Sequence, residues 1–330
     1  MKIPPAYTIT PEMIDIITKI EAHKIHFSTL EIPGNIKDRI QRVSLLKSSL
    51  YSARIEGNPL NFDDISSEKP KGENKIEIFN IIEASKFIES RKTKKITKDI
   101  LLKIHKIILK NVDSEAGFFR KEQSAIFNQA GVAVYMPPSI FEVPKLLDEL
   151  LTYIESDNEK FPLIKAFVSH LLFEKIHPFL DGNGRVGRLL ISLILKAKGW
   201  NFNFGVPYEE YLDENKVEYY FHLDQGLTKT NDYLVFMLNA YLFEIEKIKK
   251  LIEDETGKKE TLFLPPRQEE ILNIIKDHKI VSFDTIKRRF LKVPQRTLRY
   301  DLKKLTDKGF VEKTGETKGS YYRIKQMVND

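Results

Sequence analysis

The sequence contains no cysteine in its 330 residues. Disulfide bridges, thiol nucleophiles and metal sites built on cysteine are therefore excluded, and this absence suits a reducing cytoplasm. No stretch approaches the roughly 20 apolar residues that a membrane-spanning helix needs. The N-terminal segment MKIPPAYTITPEM also lacks the apolar core of a signal peptide. We therefore expect a soluble, cytoplasmic protein without a membrane partner.

Charge is unevenly distributed along the chain. The whole sequence has 53 Lys and Arg against 47 Asp and Glu, and its 42% of hydrophobic residues can fill the cores of two or three domains. Residues 265–330 hold 16 basic and 9 acidic residues, net +7, which leaves 37 against 38, net −1, for residues 1–264. The excess positive charge therefore lies in a distinct C-terminal segment.

The stretch HPFLDGNGRVGR, residues 177–188, concentrates groups that bind phosphates. Its Gly-Asn-Gly turn at 182–184 disfavours a helix, whereas residues 185–198 carry apolar side chains at helical spacing. The turn therefore delivers a helix N-terminus, whose free N–H groups attract an anion. Arg185 and Arg188 are three residues apart and share a helix face, so both guanidinium groups can reach one polyphosphate.

The same stretch also supplies a metal ligand and a base. Asp181, beside a polyphosphate, is placed to hold Mg²⁺, which takes oxygen ligands and is usually shared with substrate phosphates. His177 is mostly unprotonated at neutral pH and can take a proton from a hydroxyl nucleophile. Phe179 is expected to anchor the loop on the core. The alternative, an ordinary His-Pro turn, does not explain why base, acid, glycines and paired arginines coincide.

These residues resemble the Fic motif at every position that is usually specified, and the resemblance extends to about residue 245. It implies a mainly α fold, with a helical core and a β-hairpin flap, that transfers a nucleotide monophosphate, usually AMP from ATP, to a protein Ser, Thr or Tyr hydroxyl. It further implies that His177 is the base, that Asp181 holds Mg²⁺, and that Arg185 and Arg188 bind the β- and γ-phosphates. The implied anion cradle consists of Gly182, Asn183 and Gly184.

The second predicted helix ends at residues 52–57, SARIEG. One interpretation is a plain C-cap at Gly57. Glu56, however, places negative charge in a last helical turn, where the helix dipole disfavours it and a cationic partner would help. Ser52, Glu56 and Gly57 also resemble the inhibitory motif of the Fic family, whose glutamate pairs with the second arginine of the loop. The resemblance therefore implies an intramolecular Glu56–Arg188 pair that blocks productive ATP binding, and the cap can coexist with it.

A strand pattern in residues 124–136 predicts a short hairpin. Under the Fic resemblance this hairpin is the flap, which holds a segment of the target protein by strand addition and presents its hydroxyl to His177. The alternative is a stray two-stranded ribbon, which alone would be barely stable. The docking residues of the flap would be Ile126, Phe127, Val132 and Val134.

Aromatic residues follow the motif helix. The resemblance implies that Tyr219 and Tyr220 line the adenine, although packing between helices explains these tyrosines equally well. Leu227 stands where some family members have an asparagine, so the choice between adenine and another base stays open. His170, within an apolar helix, is expected to be a core histidine with its hydrogen bonds satisfied rather than a ligand.

The C-terminal segment predicts three helices, at 268–276, 282–290 and 294–308, followed by a hairpin within residues 310–324. This pattern resembles a winged helix-turn-helix domain. On its third helix, Arg296, Arg299 and Lys303 lie on an exposed stripe and are candidate DNA contacts. The alternatives are a winged helix used for protein contacts or dimerisation, or a solvated basic face.

Together these patterns predict four regions. They are an N-terminal helical region carrying the inhibitory helix (1–110), a Fic catalytic core (111–250), a linker (251–264) and a winged-helix domain (265–330). The predicted function is an autoinhibited protein adenylyltransferase, a nucleotidyltransferase that uses ATP and Mg²⁺ and acts on a target protein or on itself. Expected partners are that target and DNA, and the resemblance also allows a homodimer.

Two other functions stay open. In the first, the chain is a DNA-binding transcriptional regulator whose Fic module senses a nucleotide. In the second, the chemistry at the motif is unchanged but the transferred group is UMP, GMP, phosphate or phosphocholine.

Overall fold

The computed structural model is mainly helical, and it divides into two compact units, Met1–Glu255 and Thr256–Asp330. The structure describes residues 1–65, 72–127, 133–200, 202, 204–257, 264–291, 293–307, 309–315 and 320–325. Within the described part of the chain, no helix is both long and apolar enough to cross a membrane.

The first unit is built from helices. They are α1 (Pro11–Thr29), α2 (Gly34–Ile55), α3 (Glu73–Ser90), α4 (Lys98–Ile108), α5 (Val143–Glu155), α6 (Pro162–Ile176), α7 (Asn183–Ala197), α8 (Glu209–Glu214), α9 (Lys216–Gln225) and α10 (Thr230–Gly257), with a 3₁₀ turn at Phe62–Asp64. Every residue of α6 from Leu163 onward is buried, as expected for a helix that is apolar on all sides. Helix α7 packs along α6, and the motif loop joins the two. The motif therefore begins and ends on the central helices of the unit.

A short antiparallel hairpin in the first unit corresponds to the predicted flap. Its strands are β1 (Ile126–Phe127) and β2 (Ala133–Tyr135), and Ile126 pairs with Tyr135. Val134 lies in β2, whereas Val132 is outside the described residues.

Helix α10 ends at Gly257, inside the segment 251–264 that the sequence predicted as a linker. Ile252, within this segment, is still buried.

The second unit combines three helices with a small sheet. Its elements are α11 (Pro266–His278), β3 (Ile280–Ser282), α12 (Phe283–Arg289), α13 (Gln295–Asp307), β4 (Val311–Thr314) and β5 (Tyr321–Ile324). The sheet is antiparallel in the order β3–β5–β4. Leu298, Leu302 and Leu305 of α13 are buried.

Strand β3 was not expected, because the sequence pattern indicated a helix from Ser282. In the structure Ser282 ends the strand and also caps α12, since its hydroxyl accepts the N–H of Thr285 at 3.2 Å. Three residues are too few to give a periodic signal, and the strand forms because β5 pairs with it.

Asp301 is a buried carboxylate that joins two helices of the second unit. It is 2% exposed and accepts hydrogen bonds from Gln268 Nε2 at 2.9 Å and from Arg267 Nε. We expect Asp301→Ala to lower the opening free energy of α11 and α13 by about 1–3 kcal/mol, because the Gln268 amide loses its partner in the core. Hydrogen exchange of peptides from both helices measures the loss. The exposed Asp307→Ala on the same helix is the control, and equal exchange in the two variants would contradict the prediction.

Candidate active site

The candidate base lies where α6 ends. His177 caps this helix in the left-handed region, with φ 49° and ψ 61°, and its N–H donates to the Phe173 carbonyl at 2.9 Å. Pro178 follows and prevents the helix from continuing. The left-handed conformation costs a non-glycine residue roughly 1–2 kcal/mol, so surrounding contacts must hold it. The chain turns sharply here, and the motif loop begins at this turn.

A closed ring of hydrogen bonds shapes the motif loop. The Asn183 side chain accepts the N–H of Phe179 and donates to its carbonyl, each at 2.9 Å. Phe179 is fully buried and stacks on His105, with ring centroids 3.8 Å apart. Gly182 has φ 78°, and a Cβ there would approach the His105 ring to 3.3 Å. The loop therefore needs glycine at 182, and Phe179 anchors it as expected.

His105 of α4 fixes the backbone beside the acid. Its Nδ1 accepts the N–H of Gly117 at 2.9 Å, so the ring proton lies on Nε2 and is donated to the Asp181 carbonyl at 3.0 Å. Burial lowers the pKa of His105, which agrees with this neutral form. His105 thus links the start of the flap to the motif loop.

Arg185 is held between two carboxylates. Its Nη2 donates to Asp181 Oδ2 at 2.6 Å, and its Nη1 donates to Glu77 Oε1 of α3 at 2.5 Å. Burial opposes ionisation of Asp181, but the Arg185 guanidinium outweighs it and the pKa of Asp181 is lowered. Asp181 is therefore an anionic carboxylate, and its side chain is 57% exposed.

This carboxylate fits a magnesium ion that is shared with substrate. An ionised, half-exposed oxygen ligand is what Mg²⁺ takes beside phosphates. Among the residues that the structure describes, no three His, Asp or Glu side chains form a metal cluster. Phosphate oxygens and water would supply the remaining ligands.

Arg188 is buried, and its guanidinium donates three hydrogen bonds to the last turns of α2 and to the residue that caps this helix. Its Nη2 donates to Glu56 Oε1 at 2.9 Å and to the Ser52 carbonyl at 2.8 Å, and its Nε donates to Ser52 Oγ at 3.0 Å. Burial opposes the charge of Arg188, but the Glu56 carboxylate outweighs it and raises the pKa of Arg188. The structure thus brings together Ser52, Glu56 and the second arginine of the motif.

Glu56 reaches the N-terminus of α7. A Cβ on Gly184, in the first turn of that helix, would overlap Glu56 Oε1. The missing side chain at Gly184 therefore makes room for a carboxylate where the helix N-terminus favours an anion. In this conformation Glu56 occupies space in which a phosphate was expected.

The imidazole of His177 is arranged as a neutral base. Its Nδ1 lies 3.3 Å from the Glu174 carbonyl, and a proton on Nδ1 leaves Nε2 unprotonated. Burial lowers the pKa of His177, and the Arg120 cation acts in the same direction. At neutral pH the ring is therefore able to accept a proton.

The two tyrosines of α9 have different environments. Tyr219 is 1% exposed, and its hydroxyl lies 3.2 Å from His170 Nε2 in the core. Tyr220 is 42% exposed, and its hydroxyl donates to the carbonyl of Ile55 at the end of α2. Tyr220 is thus open to a ligand, whereas Tyr219 contacts the interior in this conformation. His170 also contacts the Tyr233 hydroxyl at 2.7 Å, as expected for a core histidine.

Ion pairs to α8 hold helix α2. Lys47 contacts both carboxylate oxygens of Glu210, at 2.8 and 3.0 Å, and Arg54 Nε donates to Asp213 Oδ2 at 2.9 Å. These pairs lie along α2 and fix the position from which Glu56 extends.

The flap hairpin is fastened near His177. The Tyr135 hydroxyl of β2 donates to the Lys175 carbonyl in the last turn of α6, at 2.8 Å. Ile126, Phe127 and Val134 therefore lie on strands whose sheet is tied to the helix that ends at the base.

Sequence reasoning missed several residues of the site. Glu77, His105 and Arg120 come from three other segments and contact the motif across 57 to 108 residues of chain. No local pattern identifies them. Only His105 has any sequence signal, because it is a polar residue within the apolar stripe of α4, and this signal does not indicate what His105 contacts.

Part of the chain matches a known protein family. Residues 95–195 match the sequence model of the Fic/DOC family. A probable protein adenylyltransferase of Aquifex aeolicus is 28% identical over 159 residues, which cover 46% of this chain and 48% of the relative. The protein adenylyltransferase Fic of Nematostella vectensis is 32% identical over 149 residues, covering 42% and 34%. The chain thus spans less than half the length of these curated relatives.

Solved structures share the fold. A Fic family protein from Desulfovibrio desulfuricans superimposes with a TM-score of 0.73 at 23% identity, over 99% of both chains. Fic-1 from C. elegans superimposes with a TM-score of 0.59 at 21% identity, over 74% of this chain and 73% of the other. The chain therefore has a fold shared with Fic family proteins, and its match to the Fic/DOC family model is confined to residues 95–195.

Proposed function

We propose that this chain is a protein adenylyltransferase that moves AMP from ATP to a Ser, Thr or Tyr hydroxyl of a target protein. The observation that carries the proposal is that a short loop joins His177, at the end of α6, to the N-terminus of α7, where Asp181 pairs with Arg185 and Glu56 pairs with Arg188. The names of the curated relatives support the same activity.

The geometry suits an in-line transfer. The helix N-terminus and the two arginines would bind the triphosphate, and His177 Nε2 would take the proton of the acceptor hydroxyl. The hydroxyl oxygen attacks the α-phosphorus, the bond from this phosphorus to the bridging oxygen breaks, and pyrophosphate leaves. Mg²⁺ on Asp181 would neutralise charge on the phosphates. No covalent enzyme intermediate is required.

We propose that the Glu56–Arg188 pair inhibits this reaction. A guanidinium engaged by a carboxylate is not available to the γ-phosphate, and Glu56 also occupies space at the first turn of α7. Helix α2 and the motif belong to the same chain, so the inhibition would be intramolecular.

The second unit supports a further binding function. Helix α13 exposes Arg296, Arg299 and Lys303 and buries three leucines on its other side. The Arg299 guanidinium lies over the Phe283 ring at 4.2 Å, which restrains its direction. We propose that this unit is a winged-helix domain in which α13 enters the major groove of DNA. Under the alternative function, a transcriptional regulator, this unit would bind DNA and the Fic domain would sense a nucleotide.

The first prediction from the proposed function concerns the transfer itself. With α-labelled ATP and Mg²⁺, Glu56→Gly should label itself or a lysate protein far more than wild type, because Arg188 becomes available to the γ-phosphate. Adding His177→Ala to Glu56→Gly should abolish the labelling, since the base is lost.

Other outcomes of this experiment are informative. Absence of labelling from α-labelled ATP, together with transfer from γ-labelled ATP or another nucleotide, would contradict adenylylation. It would leave the assignment of the active site intact. Absence of labelling with every donor, despite nucleotide binding, would favour the alternative function as a transcriptional regulator. Nucleotide-dependent DNA binding by the inactive His177→Ala protein would do the same.

The second prediction concerns pH. His177 must be unprotonated to act as the base, and burial lowers its pKa below the ordinary value of about 6.5. Activity of Glu56→Gly should therefore persist as pH falls through 6.5 and be lost only below it, when His177 takes a proton. A pH profile of kcat/KM measures this loss of activity at low pH. A loss with a midpoint above pH 6.5 would contradict His177 as the base.

The third prediction concerns DNA. If the cations of α13 contact phosphates, Arg296→Ala and Lys303→Ala should each weaken binding and reduce the salt slope of log K by about 1. Titration of labelled duplex DNA at several salt concentrations measures the slope. Lys94→Ala, an exposed cation of the first unit, is the control. Equal slopes in all three variants would exclude α13 as the contact.

A further inference from the structure

Arg120 is a buried cation outside the motif, in the segment that leads into the flap. It is 5% exposed, and its guanidinium donates to three main-chain carbonyls. Nε donates to His177 at 2.9 Å, Nη1 donates to Glu122 at 3.2 Å, and Nη2 donates to Pro138. These carbonyls belong to three different segments, so one side chain joins all three.

The first of these segments is the turn that carries the candidate base. The Arg120 side chain binds the His177 carbonyl, and the Arg120 N–H donates to the next carbonyl, that of Pro178, at 2.9 Å. His177 is in the left-handed region, which a histidine does not favour. Two hydrogen bonds to consecutive carbonyls restrain the peptides that follow it. Arg120 therefore stabilises the backbone conformation that directs the imidazole.

The other two segments are the limbs of the flap. Glu122 precedes β1 and Pro138 follows β2, so Arg120 Nη1 and Nη2 bind the two limbs from between them. Gln123 Nε2 adds a bond across the limbs to the Pro137 carbonyl at 2.9 Å. The guanidinium therefore fixes the base of the hairpin and the turn of His177 relative to each other.

Only arginine suits this position. Its planar guanidinium presents five donors in fixed directions, so it can bind carbonyls on several sides at once. The donors of a lysine all sit on one nitrogen, which would keep the charge but could not reach the three carbonyls together. Arg120→Lys therefore separates geometry from charge.

We propose that Arg120 is a positioning residue that sets the distance and direction between His177 and the flap, and thus between the base and an acceptor hydroxyl held on the flap. This inference rests on the proposed transfer. It assigns Arg120 no contact with ATP, because its described hydrogen bonds go to main-chain carbonyls.

The test uses the full chain with Glu56→Gly as the parent. Arg120→Lys and Arg120→Gln should each lower the rate of self-labelling from saturating α-labelled ATP by about 100-fold, as expected when reacting groups are misplaced by about 1 Å. The KM for ATP should change less than about twofold, because binding energy at the phosphates is retained. Lys121→Met, which removes an exposed cation from the neighbouring residue, should leave the rate unchanged.

The pH profile distinguishes positioning from loss of fold. The charges acting on His177 are Arg120, which lowers its pKa, and Asp181 and Glu56, which raise it, and Glu56 is absent from the parent. Arg120→Gln should therefore move the acid limb to higher pH, because a cation is lost. Arg120→Lys keeps the cation, so the acid limb of its pH profile should stay at the parent's position while its labelling rate falls. A purely structural role would not separate the two variants in this way.

Hydrogen exchange of peptides within residues 121–138 tests the same inference without activity. Both Arg120 variants should lose protection there, and Lys121→Met should not. If the parent labels nothing, the proposed transfer fails, while exchange and an NMR titration of His177 still decide the role of Arg120. Should Arg120→Gln not fold, Arg120→Lys carries the test. Rates and flap protection equal to the parent in Arg120→Lys would overturn the inference.

Discussion

The guanidinium of Arg188 constrains the whole site, because it is 1% exposed and carries a charge. A buried cation without an anionic partner costs several kcal/mol, so Arg188 requires either a carboxylate or a phosphate. In this structure the Glu56 carboxylate meets that requirement, and the Ser52 hydroxyl accepts a further hydrogen bond. Ion pairs to α8 hold α2 in the position from which Glu56 reaches this point. A polyphosphate on Arg188 would meet the same requirement and would displace Glu56.

Close approach of α7 to its neighbours depends on glycine at two positions. A Cβ on Gly184 would overlap the Glu56 carboxylate, and a Cβ on Gly187 would overlap the Glu174 carboxyl. Glu174 is the second acidic group near Arg188, and burial raises its pKa to about 8. It is therefore mostly protonated at neutral pH and does not replace Glu56 as the anionic partner. The two glycines thus admit two carboxyl groups, of which Glu56 supplies the negative charge.

The motif could be predicted because its signals are local, although α7 begins at Asn183, two residues before the predicted start at Arg185. Glycine at 182 and 184, the spacing of the arginines and the apolar pattern of α7 all lie within twenty residues of sequence. Glu77, His105 and Arg120 could not be predicted, because their roles arise from contacts between distant segments. For the same reason sequence did not distinguish Tyr219, which packs on His170, from its exposed neighbour Tyr220. Strand β3 was missed because three residues form a strand only when another strand pairs with them.

Release of the proposed inhibition costs least if α2 stays in place. Movement of α2 away from the motif would break three hydrogen bonds of Arg188, two of them to Ser52, and both ion pairs to α8. Rotation of the Glu56 side chain alone breaks one hydrogen bond to Arg188, and this side chain is already 31% exposed. Ser52 would then continue to hold the guanidinium while a phosphate replaces the carboxylate as its anionic partner. Because one anion replaces another, Arg188 keeps an anionic partner, and the relative affinity of Arg188 for phosphate and for Glu56 decides which anion it holds.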